Sequence, residues 1–227
     1  LADGLTIQES SQKALEGGMN LKKILGIVRD ARKSADIPLV LMSYCNPLYA
    51  YGLKQLAKDA KSAGVDGFIV PDLPFEEAGE LLSALQPHGI HLIFLVSPTS
   101  RRKRLVPLVK KAGGFLYYVS LAGVTGARAG LGLDIRKKVR ALQLLTKIPV
   151  CVGFGISRAE HVKKILTCAD GVIVGSAIVK EIQKYAGRRD MPAKAGRYIR
   201  RFVKAAHEKS SVKCQVSSVR KNTATDT

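Results

Sequence analysis

No stretch of this 227-residue chain approaches the roughly 18 consecutive apolar residues that a membrane span needs, and its start lacks the charged-then-apolar order of a secretory signal. Neither spanning nor export is supported, so a cytoplasmic protein is expected. Cysteine is sparse. Cys45, Cys151, Cys168 and Cys214 lie far apart, with no C-x-x-C or His-rich spacing, which argues against a zinc site or a disulfide framework. No metal is expected, and the four read as reduced, mostly buried thiols. No G-x-G-x-x-G follows the first strand candidate, so a Rossmann dinucleotide site is not supported.

Acidic residues are also few: 18 against 37 Lys and Arg, for a net charge of +19. Such an excess can signal nucleic acid, because clustered cations neutralise phosphates and release counterions. Its distribution argues otherwise. The cations fall at Arg101, Arg102, Lys103, Arg104, Lys110 and Lys111, then at Arg136, Lys137, Lys138 and Arg140, then from Arg188 to Lys204, interleaved with apolar residues at helical spacing. That is the pattern of wet helix faces, and no nucleic-acid motif accompanies it.

What is present is a core-forming chain, 46% hydrophobic, with no Gly-, Ser- or Pro-rich linker through its middle. One domain is expected over residues 1–209. Residues 210–227, "SSVKCQVSSVRKNTATDT", lose apolar periodicity and are expected to form a disordered tail.

Short apolar runs alternate with amphipathic stretches. The strand candidates are Pro38 to Ser43, Gly67 to Pro71, His91 to Val96, Phe115 to Ser120, Pro149 to Gly155 and Gly171 to Gly175. They are nearly continuous in apolar character, as strands covered on both faces must be. Helical patterns such as Leu53 to Gly64 and Phe75 to Gly89 lie between them and end on a glycine suited to a C-cap. A strand-to-strand spacing of roughly 20 to 35 residues fits βα units and a parallel sheet. An open sheet and a closed barrel both satisfy this pattern. The turns "VGFGIS" and "VGSAIVK" favour the barrel, since successive glycine-ended strands entering helices build a phosphate site from the last two strands of a (β/α)8 TIM barrel. About six βα units are visible, so a complete barrel would have two more before Leu1, where the chain also lacks a Met.

Residues past strand ends carry functional weight in such a fold. Gly123, Gly126 and Gly130 in "YYVSLAGVTGARAG" permit close backbone approach to an anion, or merely a flexible connection. Gly153 and Gly155, with Gly175 and Ser176, offer amides and a hydroxyl to a dianionic phosphate, or simply make tight turns. Tyr44, Asn46 and Asp72 follow two strands and could receive a flat substrate; Tyr44 could equally be a packed rim residue and Asp72 a turn former. Asp3, alone, reads as a solvated terminal residue.

Taken together, "LADG-TIQ", "MSYCNPLYAYG", "VPDLP-EEA", "YYVSLAGVTGAR", "GFGIS" and "GSAIVK" make residues 1 to about 206 resemble the tryptophan synthase alpha subunit family. The resemblance implies a lyase of tryptophan biosynthesis that splits indole-3-glycerol phosphate into indole and glyceraldehyde 3-phosphate. It implies no cofactor in this subunit, and a PLP-containing beta subunit as partner in an alpha2beta2 assembly. Carried over, Asp3 is the carboxylate that meets the indole N–H and Tyr117 lies beside the reacting glycerol moiety. Thr125 meets Asp3 on loop closure, Gly126, Gly155, Gly175 and Ser176 hold the phosphate, and Tyr44, Asn46 and Asp72 border the indole pocket.

Leu5 stands where the family commonly has Pro, and Ala122 where Thr or Ser is frequent. The family's general-acid glutamate falls about a dozen residues before the position of Asp3, and neither Glu9 nor Glu16 replaces it. The chain is therefore expected to be an N-terminal truncation, inactive and poorly stable. Two other readings stay open: another phosphate-binding barrel, such as a sugar-phosphate isomerase or indole-glycerol phosphate synthase, and a non-catalytic remnant that binds a partner subunit or a polyanion.

Overall fold

A computed structural model describes residues 3–120, 129–153 and 155–222, with side chains outside 129–134 and 209–222. In chain order the elements are helices α1 (Leu5–Glu16) and α2 (Leu21–Arg32), strand β1 (Val40–Met42), α3 (Cys45–Tyr51), α4 (Leu53–Ala63), β2 (Gly67–Ile69) and α5 (Gly79–Leu85). Short 3-10 turns, Phe75–Glu77 and Gln86–His88, flank α5. Then come β3 (His91–Ile93), β4 (Leu95–Val96), α6 (Arg102–Lys111), β5 (Leu116–Val119), α7 (Ala129–Gln143) and β6 (Val150–Gly153). The last elements are α8 (Ala159–Ile165), β7 (Gly171–Ile173), α9 (Ser176–Lys184) and α10 (Met191–Asn222). Each of the six apolar runs contains strand. The run from His91 to Val96 holds two: β3 pairs with β2, β4 with β5, so the chain changes partner at Phe94. Periodicity cannot show that change, because it concerns neighbours rather than faces.

The elements divide into two compact units, residues 1–119 with 142–150, and 120–141 with 151–227. In the first, β1, β2 and β3 are parallel, in register at Val40 with Gly67 and Phe68 with Leu92. Phe68 is fully buried, and Leu56, Ala57, Ala60 and Ala63 of α4 and Leu81, Leu82 and Leu85 of α5 supply the surrounding core. Burying a side chain of that size stabilises by about 2–3 kcal/mol. On β5, Leu116 and Tyr118 are buried while Tyr117 and Val119 are half-buried, so the alternate residues face opposite ways.

Helix α4 stops because Gly64 takes up a left-handed conformation, φ +88°. Its N–H bonds Lys61 O at 3.1 Å while the Val65 N–H reaches Ala60 O at 2.9 Å, the pairing that ends a helix on glycine. Arg32, at the end of α2, then fastens this corner. Its Nε donates to Gly64 O at 2.8 Å, its Nη1 to Ile37 O at 2.5 Å, and its Nη2 to the Asp66 carboxylate. Asp66 Oδ2 also accepts the Leu39 N–H at 2.7 Å, so one ion pair sets the approach to both β1 and β2.

In the second unit β6 and β7 are parallel, Cys151 opposite Gly171 and Gly153 opposite Ile173. Helix α10 packs on α8 and α9, burying Ala195, Phe202 and Ala205. The stretch expected to be a tail from 210 enters α10 as far as Asn222, and 223–227 lie outside the described residues. The cations of α6, and those of α7 from Arg136 to Arg140, are exposed, as wet helix faces should be.

The thiols call for a correction. Cys45, Cys151 and Cys168 stand outside any disulfide among the described residues, but are half-buried rather than buried. Burial, then the charge of Asp170, pushes the Cys151 thiol up to about 11, and burial with Asp72 and Glu77 raises Cys45, so both stay protonated at neutral pH. Among the described residues, no group of three or more His, Cys, Asp or Glu could hold a metal ion, and no helix is long and apolar enough to cross a membrane.

Candidate active site

Asp3 stands one residue outside α1, whose N-cap is Gly4, and a glycine has no side chain with which to cap the helix. The Asp3 carboxylate is not spent on that task either. Its Oδ2 accepts the phenol of Tyr44 at 2.6 Å, across 41 residues of sequence. Tyr44 is the N-cap residue of α3, directly past β1, so the end of the strand aims its ring at Asp3. Among the described residues, Oδ1 of Asp3 accepts no hydrogen bond. Asp3 is therefore no frayed terminus: it is half-buried and held.

Two phenols feel its charge. Tyr44 is raised above the ordinary phenol range, first by the hydrogen bond it donates to Asp3, then by burial and by the charges of Asp3 and Asp72. Tyr117, on β5, is raised chiefly by burial and further by Asp3. Both remain neutral donors at physiological pH, and Asp3 and Tyr117 share one electrostatic neighbourhood. Beside Asp3 and Tyr44 lies an apolar cavity of about 570 Å³, walled by Ile7, Leu15, Met19, Ile24, Met42 and Pro47 among others. A flat apolar ring with one N–H donor would find surface on its faces and the Asp3 carboxylate at its edge.

Asp72 is placed differently from the expectation. Its two oxygens accept the Cys45 N–H at 2.9 and 3.1 Å, capping the start of α3, and it lines a separate cavity of about 260 Å³ near Phe94 and Arg104. A carboxylate engaged with a helix N-terminus does structural work. Asn46 is exposed on α3 and does not line the Asp3 cavity. Gln8, in the "TIQ" motif, is tied to Asp3 by a contact that its position in sequence does not reveal: its Nε2 donates to Asp3 O at 2.6 Å.

In the second unit, the register of β6 on β7 makes Gly155 and Gly175 equivalent, each two residues past the paired Gly153 and Ile173. Gly155 has φ +68°, which a side chain would strain. Gly175 is the N-cap of α9, and a Cβ there would meet nothing within 4 Å. Helix hydrogen bonds back to Gly175 O begin at Ile178 and Val179, which leaves the amides of Ser176 and Ala177 available beside an exposed Ser176 hydroxyl. This is an anion-ready helix start. Thr125 and Gly126 lie outside the described residues.

Parallel strands alternating with helices, with Tyr44, Gly155, Gly175 and Ser176 just past strand C-terminal ends, define an α/β protein of barrel type. The chain belongs to the tryptophan synthase alpha chain family, whose profile it matches over residues 1–208. It is 45% identical over 208 residues to the tryptophan synthase alpha chain of Geobacter sulfurreducens, taking in 92% of this chain and 77% of that one. The crystal structure of the alpha subunit from Legionella pneumophila superposes with a TM-score of 0.82 at 34% identity, over 91% of this chain and 77% of the other. A chain of the alpha2beta2 complex from Pyrococcus furiosus gives 0.78 at 38% identity, over 87% and 80%. Family membership decides against the sugar-phosphate isomerase and indole-glycerol phosphate synthase readings.

Proposed function

We propose that this protein is the carbon–carbon lyase of its family, splitting indole-3-glycerol phosphate into indole and glyceraldehyde 3-phosphate in tryptophan biosynthesis. The observation that supports this most is Asp3: a half-buried carboxylate at an apolar cavity, one oxygen held by Tyr44 and the other without a partner among the described residues. Protonating the ring at C3 puts positive charge on the indole nitrogen. As the glycerol hydroxyl next to the ring gives up its proton to a base, the side chain is released as the aldehyde, and the electron pair of the broken C–C bond restores the aromatic ring. A fixed anion at the N–H stabilises the intermediate more than the substrate, which is what lowers a barrier.

Tyr117, neutral and near Asp3, is assigned to the glycerol moiety. Gly155, Gly175 and Ser176, together with Gly126, are assigned to the phosphate, which amides at a helix start bind without Lys or Arg. Tyr44 serves the ring pocket and Thr125 the loop beside it. The placements of Asn46 and Asp72 support no direct contact with the ring. The chemistry uses acid and base groups, so the reading takes this subunit to need no cofactor, PLP belonging to a beta subunit with which it forms an alpha2beta2 enzyme in the cytoplasm. The relative from Pyrococcus furiosus, solved as such a complex, supports the partner.

The test is indole release by a protein that joins residues 1–227 to the family's upstream general-acid glutamate, and by its Asp3→Asn variant, with beta subunit present. Removing one preorganised electrostatic group typically costs about 10²–10³-fold in kcat. Equal rates in the two proteins would overturn the assignment.

A further inference from the structure

Asp3 is not held by the backbone of its own helix. It precedes a glycine N-cap, outside the first helical turn, and the amides of Ile7 and Gln8 bond Gly4 O, at 3.0 and 3.2 Å, rather than the Asp3 carboxylate. A carboxylate in that position has no helix contact to hold it, and a glycine behind it lowers the barrier to its swinging away. One side chain opposes this. Gln8, half-buried on the first turns of α1, reaches back five residues, and its Nε2 donates to Asp3 O at 2.6 Å. Gln8 thus holds the main chain of Asp3, while Tyr44 holds Oδ2 of its side chain.

We propose that Gln8 is a positioning residue that fixes Asp3 with Oδ1 toward the cavity, so that the ring N–H of the substrate meets one defined oxygen. This inference rests on the reading of Asp3 as the carboxylate that serves the indole nitrogen. Gln8 touches neither substrate nor reacting atoms and acts through Asp3 alone. A glutamine that merely strengthened α1 would contribute to stability and leave the geometry at Asp3 unchanged. A misplacement of about 1 Å at a reacting centre can cost about 10²-fold.

The experiment compares a protein that joins residues 1–227 to the family's upstream general-acid glutamate with its Gln8→Leu and Asp3→Asn variants, with beta subunit present, in two readouts. The first is indole release, resolved into kcat and KM. The second is the titration of the Tyr44 phenol, isolated by difference from the Tyr44→Phe protein, which reports whether Asp3 still sits against Tyr44 and needs no turnover. Gln8→Leu is expected to lower kcat by about 10–100-fold with KM little changed, and to shift the Tyr44 titration down toward the ordinary phenol value. An unmoved titration overturns the inference, whatever happens to turnover or melting temperature. Wild-type kcat in Gln8→Leu alongside a damaged Asp3→Asn overturns it as well, leaving the role of Asp3 intact. Wild-type turnover in Asp3→Asn instead overturns the reading of Asp3 itself.

Discussion

Replacing Arg32 by Met tests how one side chain holds the corner where α2, β1 and β2 meet. The change keeps most of the aliphatic stem and removes the guanidinium donors to Gly64 O, Ile37 O and the Asp66 carboxylate. Arg32 is 22% exposed and Asp66 47%, so the ion pair itself is partly solvated and adds about 1 kcal/mol. The Gly64 carbonyl loses a charge-assisted donor in a part-buried setting and the Ile37 carbonyl one at the surface, at about 1 kcal/mol each. The total is about 3 kcal/mol, or roughly 6–12 °C in Tm for a chain of this size. Urea unfolding followed by far-ultraviolet circular dichroism measures it. The Lys33→Met variant is the control, because it removes only a pair between side chains that are both 73% exposed, and should leave the midpoint where it was. A midpoint in Arg32→Met equal to that of the control would refute the clasp. So would additivity with Asp66→Asn, since groups in one network must couple.

Gly64→Ala should destabilise by about 1–2 kcal/mol, because φ is +88° and the new Cβ would lie 2.8 Å from Arg32 Cγ. Gly26→Ala, in mid-α2 with nothing within 4 Å, should instead stabilise by about 0.5–1 kcal/mol in the same urea assay. Leu5→Pro is expected to stabilise by about 0.4–1 kcal/mol. Leu5 is the first residue of α1, is 76% exposed, and follows Gly4 at ψ 161°, a backbone that accepts a following proline. A lower thermal midpoint would count against that reading. The hydrogen bond from Tyr44 raises its folded-state pKa above 10.0, so its contribution is whole below that pH and disappears as pH rises through the raised value. The stability gap between wild type and Tyr44→Phe should therefore hold constant from neutral pH to about 10 and then close; a gap that widened in alkali would contradict it.

Much of the architecture could be read from local pattern. The six apolar runs became strands because a parallel sheet covered on both faces needs near-continuous Val, Ile, Leu and Phe, and that demand is written residue by residue. Gly64 ended α4 as expected, since only glycine adopts its conformation cheaply. The partner change at Phe94 was not legible, because pairing depends on residues far away. The same holds for Arg32 and Asp66, 34 positions apart.

The site divides along the same line. Composition, motifs and their order determined by themselves the family, the fold class and the kinds of group available: carboxylates, phenols, glycine turns and a serine at a helix start. Tertiary structure decided which of those groups are free to act. Asp3 and Asp72 look alike as loop carboxylates in the sequence, yet Asp72 is spent on the Cys45 amide while one Asp3 oxygen, beside the one held by Tyr44, has no partner among the described residues. The physical reason is that residue type is local, whereas satisfaction of a polar group depends on what long-range packing brings within hydrogen-bond reach.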